Sequence, residues 1–180
     1  MLFRSLGVIN GGKGGGYRAD GSAIPIDLRM GTLSKAIGGY GGYICASAPV
    51  IDLIKNRARS FIYTTCLPPS VVAGDIAALD IIANDKTLCA RPMMLARLFS
   101  DAVGLPEPQS VIIPIVVRDE TRALAAADTL ADQGFQVTAM RPPTVPKGTS
   151  RLRITFTAMH REEDVLRLAE AVKALGIAVS

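Results

Sequence analysis

Apolar residues recur along this chain at two spacings, and the spacing changes with position. Early in the chain, "IDLRMGT" (26–32) and "YGGYICAS" (40–47) read as short strands that bracket a turn carrying Lys35. "APVIDLIKNRA" (48–58) then shows helical spacing, with Val50, Leu53 and Ile54 on one face. "SFIYTT" (60–65) is rich in β-formers and predicts extended chain, which "CLPPS" (66–70) interrupts. Pro68 and Pro69 cannot continue a strand but suit the start of a helix. The apolar run from Val71 to Ile82 therefore predicts a buried helix.

The pattern then shifts. "NDKTLCARP" (84–92) ends that run, and "GLPEPQS" (104–110) is punctuated by proline and glycine. A boundary is expected between about residues 85 and 110, dividing the chain into 1–90 and 91–180. Beyond it the order is β-α-β-β-α: "VIIPIVV", then "ETRALAAADTLADQG" closed by Gly134, "FQVTAM", "SRLRITFTA" and a last helix. That helix sets Val165, Leu168, Ala169, Val172 and Leu175 on one face. Glu162, Glu163 and Asp164 lie at its positive end, Lys173 near its negative end, and Gly176 stops it. The alternation puts Arg151 and Arg153 on the same side of their strand.

Composition narrows the function classes. With 49% hydrophobic and 20% charged residues the chain is globular, and no window approaches a membrane span. A net charge of +4 mildly favours anionic ligands, but the basic residues are scattered and tryptophan is absent, so no nucleic-acid stripe or stacking platform emerges. Three cysteines (Cys45, Cys66, Cys89) and one histidine (His160) share no metal-ligand spacing. Cys45 and Cys66 read as small buried hydrophobes in a reducing, cytoplasmic protein. The glycine-rich start, "GVINGGKGGGYRADGSA" (7–23), reads as a loop. It lacks the phosphate-loop order because Lys13 is followed by Gly14.

The chemistry concentrates in "MGTLSKAIGGYGGY" (30–43). Lys35 stands among Thr32, Ser34, Gly38, Gly39, Gly41 and Gly42. An unprotonated lysine attacks carbonyls, and small neighbours give room for a flat aldehyde cofactor, with hydroxyls to hold its phosphate. On residues alone, an exposed lysine on a strand-to-strand turn is the alternative.

This stretch resembles the lysine motif of the α-oxoamine synthases, pyridoxal-phosphate enzymes of the aspartate-aminotransferase fold (fold type I). "RARSFIYTTCLPPSVVAG" and "RPPTVPKGTSRLRITFTAMH" resemble the next two family segments in the same order, so the likeness runs from about Ser5 to Gly176. The resemblance implies an α/β chain forming the C-terminal part of such an enzyme: a partial large domain followed by a small α/β domain. It implies pyridoxal 5'-phosphate as cofactor and Lys35 as the Schiff-base lysine. Thr32 matches a phosphate-contacting threonine, and Thr65 one that reaches the cofactor of a neighbouring subunit, which implies a homodimer. Arg153 matches the arginine that holds the substrate carboxylate, with Arg151 as the alternative on the same face. Thr144 matches a substrate-contacting position, against the alternative of a plain turn residue, and His160 a structural histidine. "RPPTVP" is most like the biotin-pathway members, which condense L-alanine with pimeloyl-CoA or a pimeloyl-carrier protein and release carbon dioxide.

The chain also departs from the family. An Asp-x-Ala-His motif that should precede "SLGV" aligns with Met1 and Arg4, so the carboxylate that pairs with the ring nitrogen is expected to be missing, along with a long segment before it. The expectation is a truncated chain that is weak or inactive alone, completed by a missing N-terminal half. The alternatives are 5-aminolevulinate synthase, glycine C-acetyltransferase or serine palmitoyltransferase chemistry, or a non-catalytic remnant that pairs with a homologue.

Overall fold

The structure, a computed structural model, describes residues 14–18 and 20–177. Met1, Arg4 and Lys13 lie outside the described residues. The chain forms two compact units, Met1–Ala90 and Arg91–Ser180, each described by itself.

In the first unit, β1 (Leu28–Thr32) and β2 (Gly42–Ala46) form an antiparallel hairpin whose register sets Thr32 opposite Gly42 and Leu28 opposite Ala46. Lys35 therefore sits in the connecting loop. Upstream, Tyr17 and Ala23 form an antiparallel bridge, so part of the glycine-rich start is an ordered turn. Helix α1 (Ala48–Arg57) has a proline in its first turn and Lys55 and Arg57 in its last, where the helix dipole favours them.

"SFIYTT" does not extend. Arg59–Ile62 forms a short helix, α2, in which the amides of Phe61 and Ile62 donate to the Ala58 carbonyl and that of Tyr63 to Arg59. Among the described residues no strand pairs with this stretch, and local hydrogen bonds override β-propensity. Helix α3 (Pro69–Asn84) forms where expected but is not buried: Asp75 is its one buried side chain. Cys45 and Cys66 are exposed rather than buried: Cys45 lies on a two-stranded hairpin that no other described element covers on that face, and Cys66 lies in irregular chain.

Helix α4 (Lys86–Val103) occupies the stretch read as a boundary and contains Pro92. The second unit follows with β3 (Ile112–Arg118), α5 (Glu120–Asp132), β4 (Thr138–Met140), β5 (Ser150–Thr155) and α6 (Glu162–Ala174). Its sheet has the order β3-β5-β4, antiparallel throughout. Asp119 caps α5 by accepting from the Arg122 amide at 2.8 Å. Past its end, Gly134 (φ +87°) lets the amides of Gly134 and Phe135 return to Ala131 and Leu130. Alternation then assigns the sheet faces. Ile113, Ile115, Leu152 and Ile154 turn inward onto Leu95, Phe99, Leu130, Val165 and Val172, while Arg151 and Arg153 occupy the other face. The whole buried apolar cluster belongs to this second unit.

Among the described residues no helix is long and apolar enough to cross a membrane.

Candidate active site

The Lys35 loop is built by its own backbone. The Leu33 amide donates to the Gly41 carbonyl (3.0 Å), Gly39 to Leu33 (2.9 Å) and Gly38 to Lys35 (3.0 Å). Gly38 closes the tight turn at φ +74°, a conformation that costs an L side chain energy. Ile37 is buried and anchors the loop from behind, and Lys35 and Ser34 stay exposed. The Lys35 amine makes no hydrogen bond or ion pair among the described residues. The hydroxyls of Thr32 and Ser34 lie 2.7 Å apart, and the Thr32 oxygen also accepts from the Ser34 amide at 3.2 Å.

The glycines do not leave an open clearing. The Tyr43 ring covers Gly31, its partner across the hairpin, and Leu67 packs on Gly41. A Cβ at Gly39 would overlap the carboxylate of Asp75, which is 5% exposed and has neither oxygen hydrogen-bonded. Only Gly38 of the loop faces space without a neighbour. Asp75 is the residue that sequence reasoning missed, and the available signal was a lone acid on the inward stripe of an apolar run. Gly39→Ala is expected to displace the loop and destabilise the first unit by about 1–3 kcal/mol, the usual cost of overpacking. Amide exchange across 33–41 should quicken; unchanged exchange would refute the fit.

Thr65 is exposed in the irregular stretch between α2 and α3. The structure thus places Thr32, Lys35 and Thr65 in the first unit, and Thr144 and Arg153 in the second. Thr144 follows a cis Pro142–Pro143 bond in a turn closed by its amide on the Arg141 carbonyl at 3.0 Å.

In the second unit a cavity of about 710 Å³ is lined by Arg153, Thr138, Phe156, His160, Asp164 and Arg167 among others. Arg153 Nε is buried there without a hydrogen-bond partner, whereas Arg151 Nε donates to the Thr149 carbonyl at 2.9 Å. His160 is an acceptor, taking the Thr157 amide on Nδ1 at 3.2 Å, and its ring stands edge-on to Phe156. Asp164 takes two hydrogen bonds from Arg161 and one from Arg167. The Arg161 bonds hold its carboxyl below the usual range, and Arg167 adds to the effect.

The hairpin lysine and the three-stranded unit that follows it fall within a known class: the chain belongs to the aminotransferase class I and II family, whose sequence model matches residues 12–172. Within that family its relatives are α-oxoamine synthases. It is 58% identical to 8-amino-7-oxononanoate synthase of Methylocella silvestris over 168 residues, 93% of this chain and 47% of that protein. It is 53% identical to the enzyme of the same name from Maricaulis maris over 94% of this chain and 43% of that one. The chain thus spans about half the length of the curated relatives it matches. Among solved structures, serine palmitoyltransferase from S. paucimobilis with a bound PLP–myriocin aldimine superposes with a TM-score of 0.84 at 28% identity, over 97% of this chain and 46% of that one. An 8-amino-7-oxononanoate synthase from Francisella tularensis shares the fold at 23% identity, with a TM-score of 0.82 over 96% of this chain and 52% of that one.

Proposed function

We propose that this chain is the lysine-bearing part of a pyridoxal-phosphate-dependent acyltransferase that condenses L-alanine with a pimeloyl thioester, carried by coenzyme A or a carrier protein, to give 8-amino-7-oxononanoate in biotin synthesis. The observation that carries the reading is the exposed, unpaired Lys35 amine on a loop braced by Ile37, in a chain 58% identical to a synthase of that name. Residues 1–90 are a partial cofactor-binding domain and 91–180 the small domain, working in the cytoplasm as part of a homodimer or with a separate N-terminal half.

The residues fit the cofactor: the amine is accessible and two hydroxyls stand side by side at the base of its loop. Lys35 Nζ would hold the aldehyde carbon, and Thr32 and Thr65 the phosphate, Thr65 that of the neighbouring subunit. When bound, pyridoxal 5'-phosphate supplies an electron-accepting ring to the substrate α-carbon. As a free amine, Lys35 Nζ takes the α-proton of alanine and later returns one to the product carbon. Arg153 binds the substrate carboxylate through two parallel N–H donors. Its buried, unpartnered Nε and its place on the cavity support it over Arg151, whose Nε is engaged. Thr144 contacts the substrate.

Serine palmitoyltransferase-type chemistry is the second reading, favoured by the superpositions at 28–29% identity and outweighed by the 58% relative. The test is to combine the purified chain with the unmatched segment of the Methylocella silvestris relative, L-alanine or L-serine, and either a pimeloyl or a palmitoyl thioester, and to assay carbon dioxide and amino-ketone. Turnover with the pimeloyl donor supports the proposal; turnover only with palmitoyl donor and serine rejects it. In the same assay Arg153→Lys is expected to raise the KM for alanine about 10–100-fold, the worth of a lost charged hydrogen bond. An unchanged KM would remove Arg153 from the site.

A further inference from the structure

Asp75 breaks several local rules at once. It lies inside α3, beyond the first turn where a helix end favours an acid, and aspartate is a weak helix former in such interiors. Its side chain is 5% exposed, yet neither carboxylate oxygen has a hydrogen-bond partner among the described residues. Val71, Val72, Ala78 and Leu79, its neighbours one turn away along the helix, carry no side-chain donor. Burying an unpaired carboxylate works against folding, so alanine would serve stability better here.

What the carboxylate does touch is the turn that carries the lysine. It occupies the place that a side chain on Gly39 would take. The Gly39 amide donates to the Leu33 carbonyl at 2.9 Å, and the adjacent Gly38 amide to the Lys35 carbonyl at 3.0 Å. Gly39 is thus part of the bonding that shapes the turn. Lys35 is exposed, and its amine has no hydrogen bond or ion pair among the described residues, so its placement follows from this backbone. Asp75 and Gly39 lie in the same unit, and the contact needs no further chain to complete it.

We propose that Asp75 is a positioning residue for Lys35. Its carboxylate braces the 33–41 turn by filling the space beside Gly39, and the unit is less stable for it. Local rules broken with no gain in stability mark functional positions. A turn braced from behind keeps the amine in one place, and attack on a carbonyl depends on that placement. The consequence for cofactor capture rests on the reading of Lys35 as the cofactor lysine; the bracing of the turn does not.

The test compares the full chain with Asp75→Asn, which keeps the shape of the head group, and Asp75→Ala, which removes it. Three quantities are read: hydrogen exchange of the 33–41 amides without cofactor, the rate at which pyridoxal phosphate labels Lys35 (trapped by borohydride and mapped by peptide), and the urea midpoint. In Asp75→Ala the turn amides should exchange at least about tenfold faster and labelling should slow by about tenfold or more, as a displaced reacting group does. The urea midpoint should hold or rise, because a buried unpaired carboxylate is gone. Asp75→Asn should label within about threefold of the wild-type rate, since the space beside Gly39 stays filled. The amides of α5, in the other unit, should exchange alike in all three chains.

Unchanged exchange of the turn in Asp75→Ala, or labelling at the wild-type rate, would overturn the proposal. A slowdown joined to a fall in the urea midpoint would do the same, because ordinary loss of packing moves both together. So would an Asp75→Asn chain that behaves like Asp75→Ala. A wild-type chain that takes no label at Lys35 rejects the cofactor reading, and the exchange comparison then decides the bracing by itself.

Discussion

Lys35→Ala is expected to abolish covalent capture of pyridoxal phosphate: after borohydride reduction, the wild-type chain should carry the label on the peptide containing Lys35 and the variant should carry none. In the assembled enzyme, turnover should fall by at least about 10²–10⁴-fold, the share that one positioned acid–base group supplies, with loss of the covalent anchor adding to it. Lys35→Arg separates charge from chemistry. A guanidinium keeps its proton at every accessible pH and cannot act as an amine nucleophile, so it should restore neither label nor rate. The only other lysines flanking this region, Lys13 and Lys55, lie outside the described residues and on α1 respectively, which makes the peptide map decisive. Label on any peptide other than that of Lys35, or equal labelling of the variant, would discard the site.

Phe99→Ala should cost the second unit about 3–5 kcal/mol, as truncating a buried aromatic does, against the roughly 5–15 kcal/mol that holds a domain together. Phe99 is fully buried on α4, and its ring lies 5.4 Å from that of Phe156 on the far side of the core. The cavity left behind would open beside Phe156, just past β5, within that core. Urea unfolding followed by circular dichroism should show the midpoint fall, while Leu124→Ala, at an exposed site on α5, should move stability by less than about 0.5 kcal/mol. Similar losses from the two substitutions would mean that this core is not the cohesive element.

The second unit was legible in the sequence because its signals are local and agree with one another. Asp119, the alanine-rich run and Gly134 fix α5 at both ends, and the alternation in "SRLRIT" assigns inward and outward residues without reference to any neighbour. The hairpin was legible for the same reason. What escaped depended on partners far along the chain or outside it. "SFIYTT" has β-branched and aromatic residues but pairs with no strand among the described residues, and it coils into α2. Helix α4 was hidden by Pro92, which reads as a breaker yet sits buried within an otherwise regular helix. The prolines and the apolar run predicted the α3 helix correctly but its burial wrongly, because an apolar run alone does not say what covers it. In the candidate site, Lys35 stood out by its neighbours. Asp75 did not, because nothing in one sequence reveals that the carboxylate at position 75 rests on Gly39.

That contact also constrains the order in which this protein can change. With a carboxylate at position 75, any side chain at position 39 meets an occupied space; once position 75 carries alanine, the same step is open. The two sites are therefore not free to drift separately. A lineage that acquires a side chain in the lysine loop must first have lost the acid on α3, and Gly39→Ala should be harmful in one ancestor and silent in another.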